Sequence, residues 1–242
     1  MVAGWNMTPV EAAKSESELA RDPENLPSRL RLMSYYGQRI ENDALVRHLV
    51  WLVEHHPDAD LFWDGTTRFT RVPRPDSYAN QVLDSARVEA LWRQQAQRFA
   101  SNAKVLRNAA IALASVDVNA SLDLISAARR VEPANIAWTN WLARNYARAI
   151  RFTFWDGKNP MTLMSDGDQL DVVLPLNVPL ALAQQLRDAT ESSNDPALVR
   201  AVGESVLRET QNLPSWPNGL TPDVPLVSAY AEALIAKAAK MR

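Results

Sequence analysis

The residues best spaced to do chemistry are three arginines near the middle of the chain. Arg144, Arg148 and Arg151 are separated by four and then three residues, which places them on one face of a helix. A guanidinium group binds a carboxylate through two parallel hydrogen bonds, so such a row can hold an acidic segment of a partner. The alternative is a solvated helix face, whose arginines near the helix C-terminus interact favourably with the helix dipole.

A second candidate is the tetrapeptide Phe-Trp-Asp-Gly, which occurs at 62–65 and again at 154–157. Each copy follows a predicted helix and begins an irregular stretch. Asp-Gly forms tight turns, and Phe-Trp can anchor a turn onto a core, which indicates a recurring way of leaving a helix. The alternative is that Trp63 and Trp155 are aromatic platforms that stack on a sugar or a peptide beside a carboxylate.

The three histidines lie close together in the chain, as His48, His55 and His56. The sequence has no His-x-x-x-His pair, and two adjacent histidines cannot face one metal ion from the same helix. We therefore expect His55 and His56 to lie at a helix C-terminus, where the dipole favours them, and we expect no metal.

Composition excludes several other kinds of site. The chain has 242 residues and no cysteine, which removes disulfides, thiolate metal sites and cysteine nucleophiles. No phosphate-binding glycine loop, dinucleotide motif or nucleophile elbow is present, so we expect neither a cofactor nor an enzyme. With 26 basic and 28 acidic residues, the net charge of -2 argues against nucleic acid as a partner.

The sequence bears less directly on the compartment. No apolar run approaches the length of about 20 residues that spans a bilayer. The first residues have neither the basic start nor the apolar core of a signal peptide, which favours the cytoplasm. A location outside the cytoplasm stays open if Met1 replaces a signal that has been removed.

The elements that must position these residues are helices. Glycine is scarce, with 7 residues, whereas 15 prolines are spread along the chain, as expected where prolines end helices rather than where glycines turn strands. Thr8, Pro9 and Glu11 have the spacing of a capping box at the start of a first helix. The apolar periods predict an all-α chain with irregular loops at about 61–76 and 153–178, and helices at about 9–22, 26–40, 42–56, 77–99, 103–115, 118–131, 136–152, 179–192, 196–211 and 223–241.

A repeating period organises much of this pattern, and its length of about 34 residues is that of a tetratricopeptide repeat. Pro23 and Pro57 are separated by one such period, and Ala100 and Pro133 by nearly the same distance, each between two predicted helices. Over residues 20–151 the chain resembles a degenerate tetratricopeptide repeat array. The alternative is an irregular helical bundle whose prolines happen to have this spacing.

Fixed positions within the repeat support the resemblance. Leu32 and Tyr36 follow Pro23 at the same two offsets at which Leu142 and Tyr146 follow Pro133. On this basis residues 1–19 form an N-terminal helix, 20–151 the repeats with an insertion at 61–76, and 152–242 an irregular loop followed by a C-terminal helical extension or cap.

The resemblance implies a fold and a binding surface. Such arrays stack antiparallel helix pairs into a right-handed solenoid, and the first helix of each pair lines a concave groove that binds a peptide or protein. Family members that bind peptides use basic and asparagine side chains there to hold acidic groups. The corresponding helices of this chain carry side chains of these types at Lys104, Arg107, Asn140, Arg144, Arg148 and Arg151, although the family's exact clamp arrangement is not reproduced.

We therefore expect a protein-interaction or scaffolding module whose partner is a protein or peptide, including an acidic one. Two alternatives remain open. In the first, the chain is a structural subunit of a larger hetero-complex, with its tryptophans in permanent interfaces. In the second, it is a small-molecule binder or enzyme that uses the 153–178 loop and the carboxylates of the repeated tetrapeptide.

Overall fold

The computed structural model describes residues 6–39, 42–59, 85–114, 116–154, 179–211 and 224–241. These residues form helices and connecting turns and contain no strand, so the all-α prediction is confirmed. The loop predicted at 61–76, most of the loop at 153–178, and both Trp63 and Trp155 lie outside the described residues. The helices are α1 (Pro9–Arg21), α2 (Leu26–Arg39), α3 (Asn42–His55), α4 (Ser85–Arg98), α5 (Ala103–Leu113), α6 (Val118–Val131), α7 (Ile136–Arg151), a 3-10 turn (Phe152–Phe154), α8 (Leu180–Ser192), α9 (Pro196–Gln211) and α10 (Val224–Lys240).

Local capping explains where these helices begin. At α1 the Thr8 hydroxyl accepts a hydrogen bond from the Glu11 amide at 3.3 Å, and the Glu11 carboxylate accepts one from the Thr8 amide at 2.7 Å. This is the predicted capping box. Side-chain oxygens of Asn102 and Asp117 accept amide hydrogen bonds in the same way at the starts of α5 and α6.

The chain divides into two compact units, Met1–Val131 and Glu132–Arg242. In the first unit each of the helices α1 to α6 packs against the next one along the chain. Its fully buried side chains include Leu32, Leu49, Trp92 and Ile125. Helix α7, which the repeat-based division grouped with the preceding helices, lies in the second unit.

The second unit is organised around α9, which packs against α7, α8 and α10. Two helices approach each other closely at Gly203 of α9. A Cβ atom at Gly203 would lie 2.9 Å from the Ala231 carbonyl oxygen and 2.9 Å from the Ile235 Cγ1 atom, both on α10. The absence of a side chain at this position therefore allows α9 and α10 to pack together.

Replacing Gly203 with alanine should lower the free energy of unfolding by about 1 kcal/mol. Alanine is the better helix former by about 1 kcal/mol, but the α10 backbone would have to move away from the new methyl group, and such overpacking costs about 1–3 kcal/mol. Urea denaturation followed by circular dichroism measures the difference. A variant at least as stable as the wild type would contradict this close packing.

Candidate functional site

A groove of about 730 Å³ lies along one side of α3 in the first unit. Helix α3 has two faces because its side chains recur every three or four residues: Leu45, Leu49 and Leu52 face the core, whereas a neighbouring face borders the groove. We call this cavity the α3 groove. Its lining includes three apolar side chains, Leu19 of α1 with Val46 and Val50 of α3, which we call the floor, beside the buried polar side chains of Arg29 and His48.

Charged side chains of both signs form the rim of the α3 groove. Asp43, Arg47 and Glu54 come from α3, and Arg87 comes from α4. All four are exposed, and the Arg47 side chain is 62% exposed. The groove thus combines an apolar floor with a polar, accessible rim.

One end of the groove contains a hydrogen-bonded chain centred on His48, which is only 2% exposed. The Arg29 Nη1 atom lies 3.3 Å from His48 Nδ1, and His48 Nε2 lies 3.1 Å from Glu16 Oε1. Because a guanidinium group can only donate, Nδ1 must accept, and the ring hydrogen is on Nε2 and is donated to Glu16. His48 is therefore held as one tautomer of the neutral imidazole.

Glu16 of α1 connects three helices. Its Oε1 atom also accepts hydrogen bonds from the Tyr36 hydroxyl of α2 at 2.7 Å and from Arg47 Nη2 of α3 at 2.9 Å. Burial raises the pKa of Glu16, but the hydrogen bond from Tyr36 and the interactions with His48 and Arg47 outweigh it and leave the pKa below its usual value. Glu16 is therefore ionised at neutral pH and holds α1 against α2 and α3.

Arg29 of α2 is a buried cation whose direct contacts are with uncharged groups. It is 6% exposed, its Nη2 atom donates to the Pro23 carbonyl oxygen at 2.8 Å, and its Cζ atom lies 3.5 Å from the centre of the Trp51 ring. Burial lowers the pKa of Arg29, and the charges of Glu16 and Glu24 offset part of that effect. We call Glu16, Arg29, Tyr36, Arg47 and His48 the His48 cluster.

His55 and His56 lie at the end of α3 as predicted, whereas His48 has a different role. His55 Nδ1 lies 2.8 Å from the Trp51 carbonyl oxygen at the end of α3, as the predicted helix-end position requires, and His56 pairs with Glu24 at 3.0 Å. His48 is instead part of the core. Its Nδ1 lone pair already accepts from Arg29, so His48 can take up a proton only by losing that contact.

The pKa of His48 predicts a pH dependence of stability. Burial lowers this pKa below 6.5, while Glu16 opposes the shift and Arg47 and Arg29 add to it. The unfolded chain then binds a proton more readily than the folded chain, so the stabilisation is complete above the unfolded pKa of about 6.5 and is lost as the pH falls through the lower folded pKa. Urea denaturation at several pH values should show this loss in the wild type and less of it in His48→Gln.

The predicted row of arginines lies on α7, and Arg151 pairs with a glutamate of the same unit. Arg151 Nε lies 3.0 Å from Glu209 Oε2 of α9, with side chains that are 14% and 26% exposed. Burial raises the pKa of Glu209, and the charges of Arg151, Arg148, Arg144 and Arg208 offset part of that rise. The three arginines therefore share one face, as the spacing predicts, and this face is directed toward a carboxylate of the same unit.

The remaining predicted site residues are distributed over both units. Lys104 is exposed and Arg107 half-buried on α5 of the first unit, whereas Asn140 is exposed on α7 of the second.

The second copy of the repeated tetrapeptide begins with Phe154, whose ring centre lies 5.2 Å from that of Tyr230. The Arg187 guanidinium stacks over both rings, at 4.6 and 4.7 Å, so Phe154 anchors the exit from α7 onto α8 and α10.

Searches for other kinds of site and for related proteins gave no match. Within the described ranges, no group of three or more histidine and acidic side chains is placed to hold a metal ion. In the same ranges, no helix is long and apolar enough to cross a membrane.

No protein-family model matches the chain, and no curated protein or solved structure matches it.

Proposed function

We propose that this chain is a protein-interaction or scaffolding module that binds a segment of a partner protein in the α3 groove. The observation that carries the proposal is the groove itself, in which Leu19, Val46 and Val50 are surrounded by an accessible charged rim. An apolar centre within a polar rim is the usual composition of a protein-binding surface. A volume of about 730 Å³ accommodates a few amino-acid side chains.

The rim indicates the chemistry of the bound segment. Asp43 and Glu54 supply negative charge, and Arg47 and Arg87 supply positive charge. Complementary charge favours an amphipathic segment with apolar side chains toward the floor and residues of both signs toward the rim. An acidic side chain would lie beside Arg47.

We also propose that residues 20–151 form a tetratricopeptide-like array. In a tetratricopeptide-like solenoid each helix packs on its neighbours along the chain, and the helices α1 to α6 pack in this order. Pro23 and Pro57 follow directly after α1 and α3, so α2 and α3 together form one unit of the proposed period. Lys104 and Arg107 of the first unit remain candidate partner-binding residues, and so, separately, do Asn140, Arg144, Arg148 and Arg151 of the second.

The structural-subunit alternative places the tryptophans of the 138–155 stretch in interfaces with other chains. Trp138 and Trp141 are instead 7% and 5% exposed, and their ring centres lie 5.9 Å apart. The enzyme alternative depends on residues 155–178, which lie outside the described ranges.

A charge placed on the groove floor should weaken binding at least about tenfold. Twelve-residue peptides are first selected from a displayed random library on the immobilised chain, and their affinities are then measured by fluorescence polarisation. Val46→Glu puts a carboxylate among apolar side chains, where an unpaired charge costs more than the difference of about 1.4 kcal/mol that corresponds to a tenfold change in affinity.

The matched control is Val10→Glu on α1, because Val10 is 79% exposed and outside the groove. We expect this variant to bind like the wild type. Thermal denaturation shows that both variants are folded before the affinities are compared. Selected peptides that bind Val46→Glu as tightly as the wild type would exclude the α3 groove as the binding surface.

A further inference from the structure

The His48 cluster connects the α3 groove to a buried imidazole that is hydrogen-bonded on both nitrogens. We propose that His48 is a pH sensor, and that its protonation moves Arg29 and Trp51 and so changes the wall of the groove. This inference rests on the proposed function in one respect: it assumes that the α3 groove is the surface that a partner uses.

The hydrogen-bond directions provide the first step. His48 Nδ1 accepts from Arg29 Nη1 at 3.3 Å, and His48 Nε2 donates to Glu16. A proton can therefore be added only at Nδ1, where it would convert the acceptor into a donor that faces another donor. It would also place a positive charge beside a guanidinium group that is always charged. Both effects break the contact between Arg29 and His48.

The charges around His48 influence the pH at which its ring becomes protonated. From α1, Glu16 favours the protonated ring; from α2, Arg29 opposes it, and the Tyr36 ring stacks on the imidazole at 5.7 Å. Arg47 of α3 also opposes protonation, and Arg87 of α4 borders the same groove. Burial adds to the opposition and makes the pKa of His48 lower than its usual value of 6.5. The ring is thus neutral at neutral pH and becomes protonated only as the pH falls through this lowered pKa.

Arg29 transmits the change to the groove. Its guanidinium group is held between His48 Nδ1, the Pro23 carbonyl oxygen and the Trp51 ring, and Arg29, Pro23 and Trp51 all line the cavity. When the first of these contacts is lost, Arg29 moves relative to Trp51. A partner that covers the groove buries Arg29 and His48 more deeply and so favours the neutral ring. The affinity of this partner therefore decreases as the pH is lowered, by at most about tenfold per pH unit because one proton is involved.

The test uses the free protein and no partner. Long-range proton–nitrogen NMR spectra of the imidazole rings are recorded from about pH 7.5 to about pH 5, together with the indole N–H resonances, with Trp51→Phe identifying that of Trp51. We expect the Nε2–H tautomer of His48 at neutral pH, protonation of both nitrogens in acid, and a shift of the Trp51 indole with the same midpoint. Because the His55 and His56 rings also lie against the Trp51 ring, at 4.5 and 5.3 Å between ring centres, only a Trp51 transition that shares the His48 midpoint is diagnostic. That transition should be absent from His48→Gln and present in the matched controls His55→Gln and His56→Gln.

Four results would overturn the inference: an Nδ1–H tautomer at neutral pH, a His48 ring that stays neutral over this pH range, protonation of His48 that leaves Trp51 unchanged, or a Trp51 transition with the His48 midpoint that persists in His48→Gln. The tautomer is read from the wild type, so the test stands even if a His48 variant fails to fold. Because no peptide is added, a failure here is distinct from a failure of the selected peptides to bind the groove.

Discussion

Replacing His48 with leucine should lower the free energy of unfolding by about 3 kcal/mol, because a hydrogen bond to a charged group contributes about 1.5–3 kcal/mol and leucine removes two such bonds. Leucine fills a similar volume, but it accepts no hydrogen bond from Arg29 and donates none to Glu16. The guanidinium group of Arg29 would then be a buried cation without its imidazole acceptor. Urea denaturation at neutral pH, followed by circular dichroism, measures the loss.

The matched variant is His48→Gln. A glutamine side chain can both accept from Arg29 and donate to Glu16 without titrating, so we expect it to cost about 1 kcal/mol, the size of an imperfect neutral hydrogen bond. The difference between the two variants isolates hydrogen bonding from packing. Equal losses in the leucine and glutamine variants would show that the imidazole acts by volume alone.

Replacing Arg151 with methionine should lower the free energy of unfolding by about 2 kcal/mol, which is below the usual range for a fully buried ion pair. Methionine keeps much of the apolar packing of the arginine but leaves Glu209 without the guanidinium that contacts it at 3.0 Å. The expected loss is reduced because both side chains retain some exposure. Urea denaturation at neutral pH provides the measurement.

The control for this prediction is Glu209→Gln, alone and combined with Arg151→Met. Burial raises the pKa of Glu209, so the stabilisation from this group is present below its unfolded pKa and is lost as the pH rises through the folded value. At neutral pH the single glutamine variant should therefore be as stable as the wild type or more stable, and it should restore stability to Arg151→Met. A double variant no more stable than Arg151→Met would contradict this account of the pair.

The helices could be predicted from the sequence because their limits are determined locally. Thr8 and Glu11 form the predicted capping box, and α1 and α3 end just before Pro23 and Pro57. Helix α6 has the predicted bounds, Val118–Val131. The long helix predicted from 77 can be compared only from Ser85 onward, where the described residues begin again.

The His48 cluster could not be predicted because its members meet through packing. Glu16 and Arg29 lie 32 and 19 residues before His48, and no local pattern shows that they share a site with it. One signal was present: His48 lies between Leu45, Leu49 and Leu52 on the apolar face of α3, a position that indicates burial. The same limit holds for Arg151, because the row of arginines is visible in the sequence whereas Glu209 reaches it only through the packing of α7 on α9.

The most direct test of the central claim locates a bound peptide on the protein. Methyl NMR spectra are recorded with a peptide selected from the library and with a scrambled version of it. We expect the methyl resonances of Leu19, Val46 and Val50 to shift with the selected peptide, and those of Val199 and Val202, buried in the second unit, to stay unchanged. Shifts confined to the second unit, or a library that yields no binding peptide, would contradict the account.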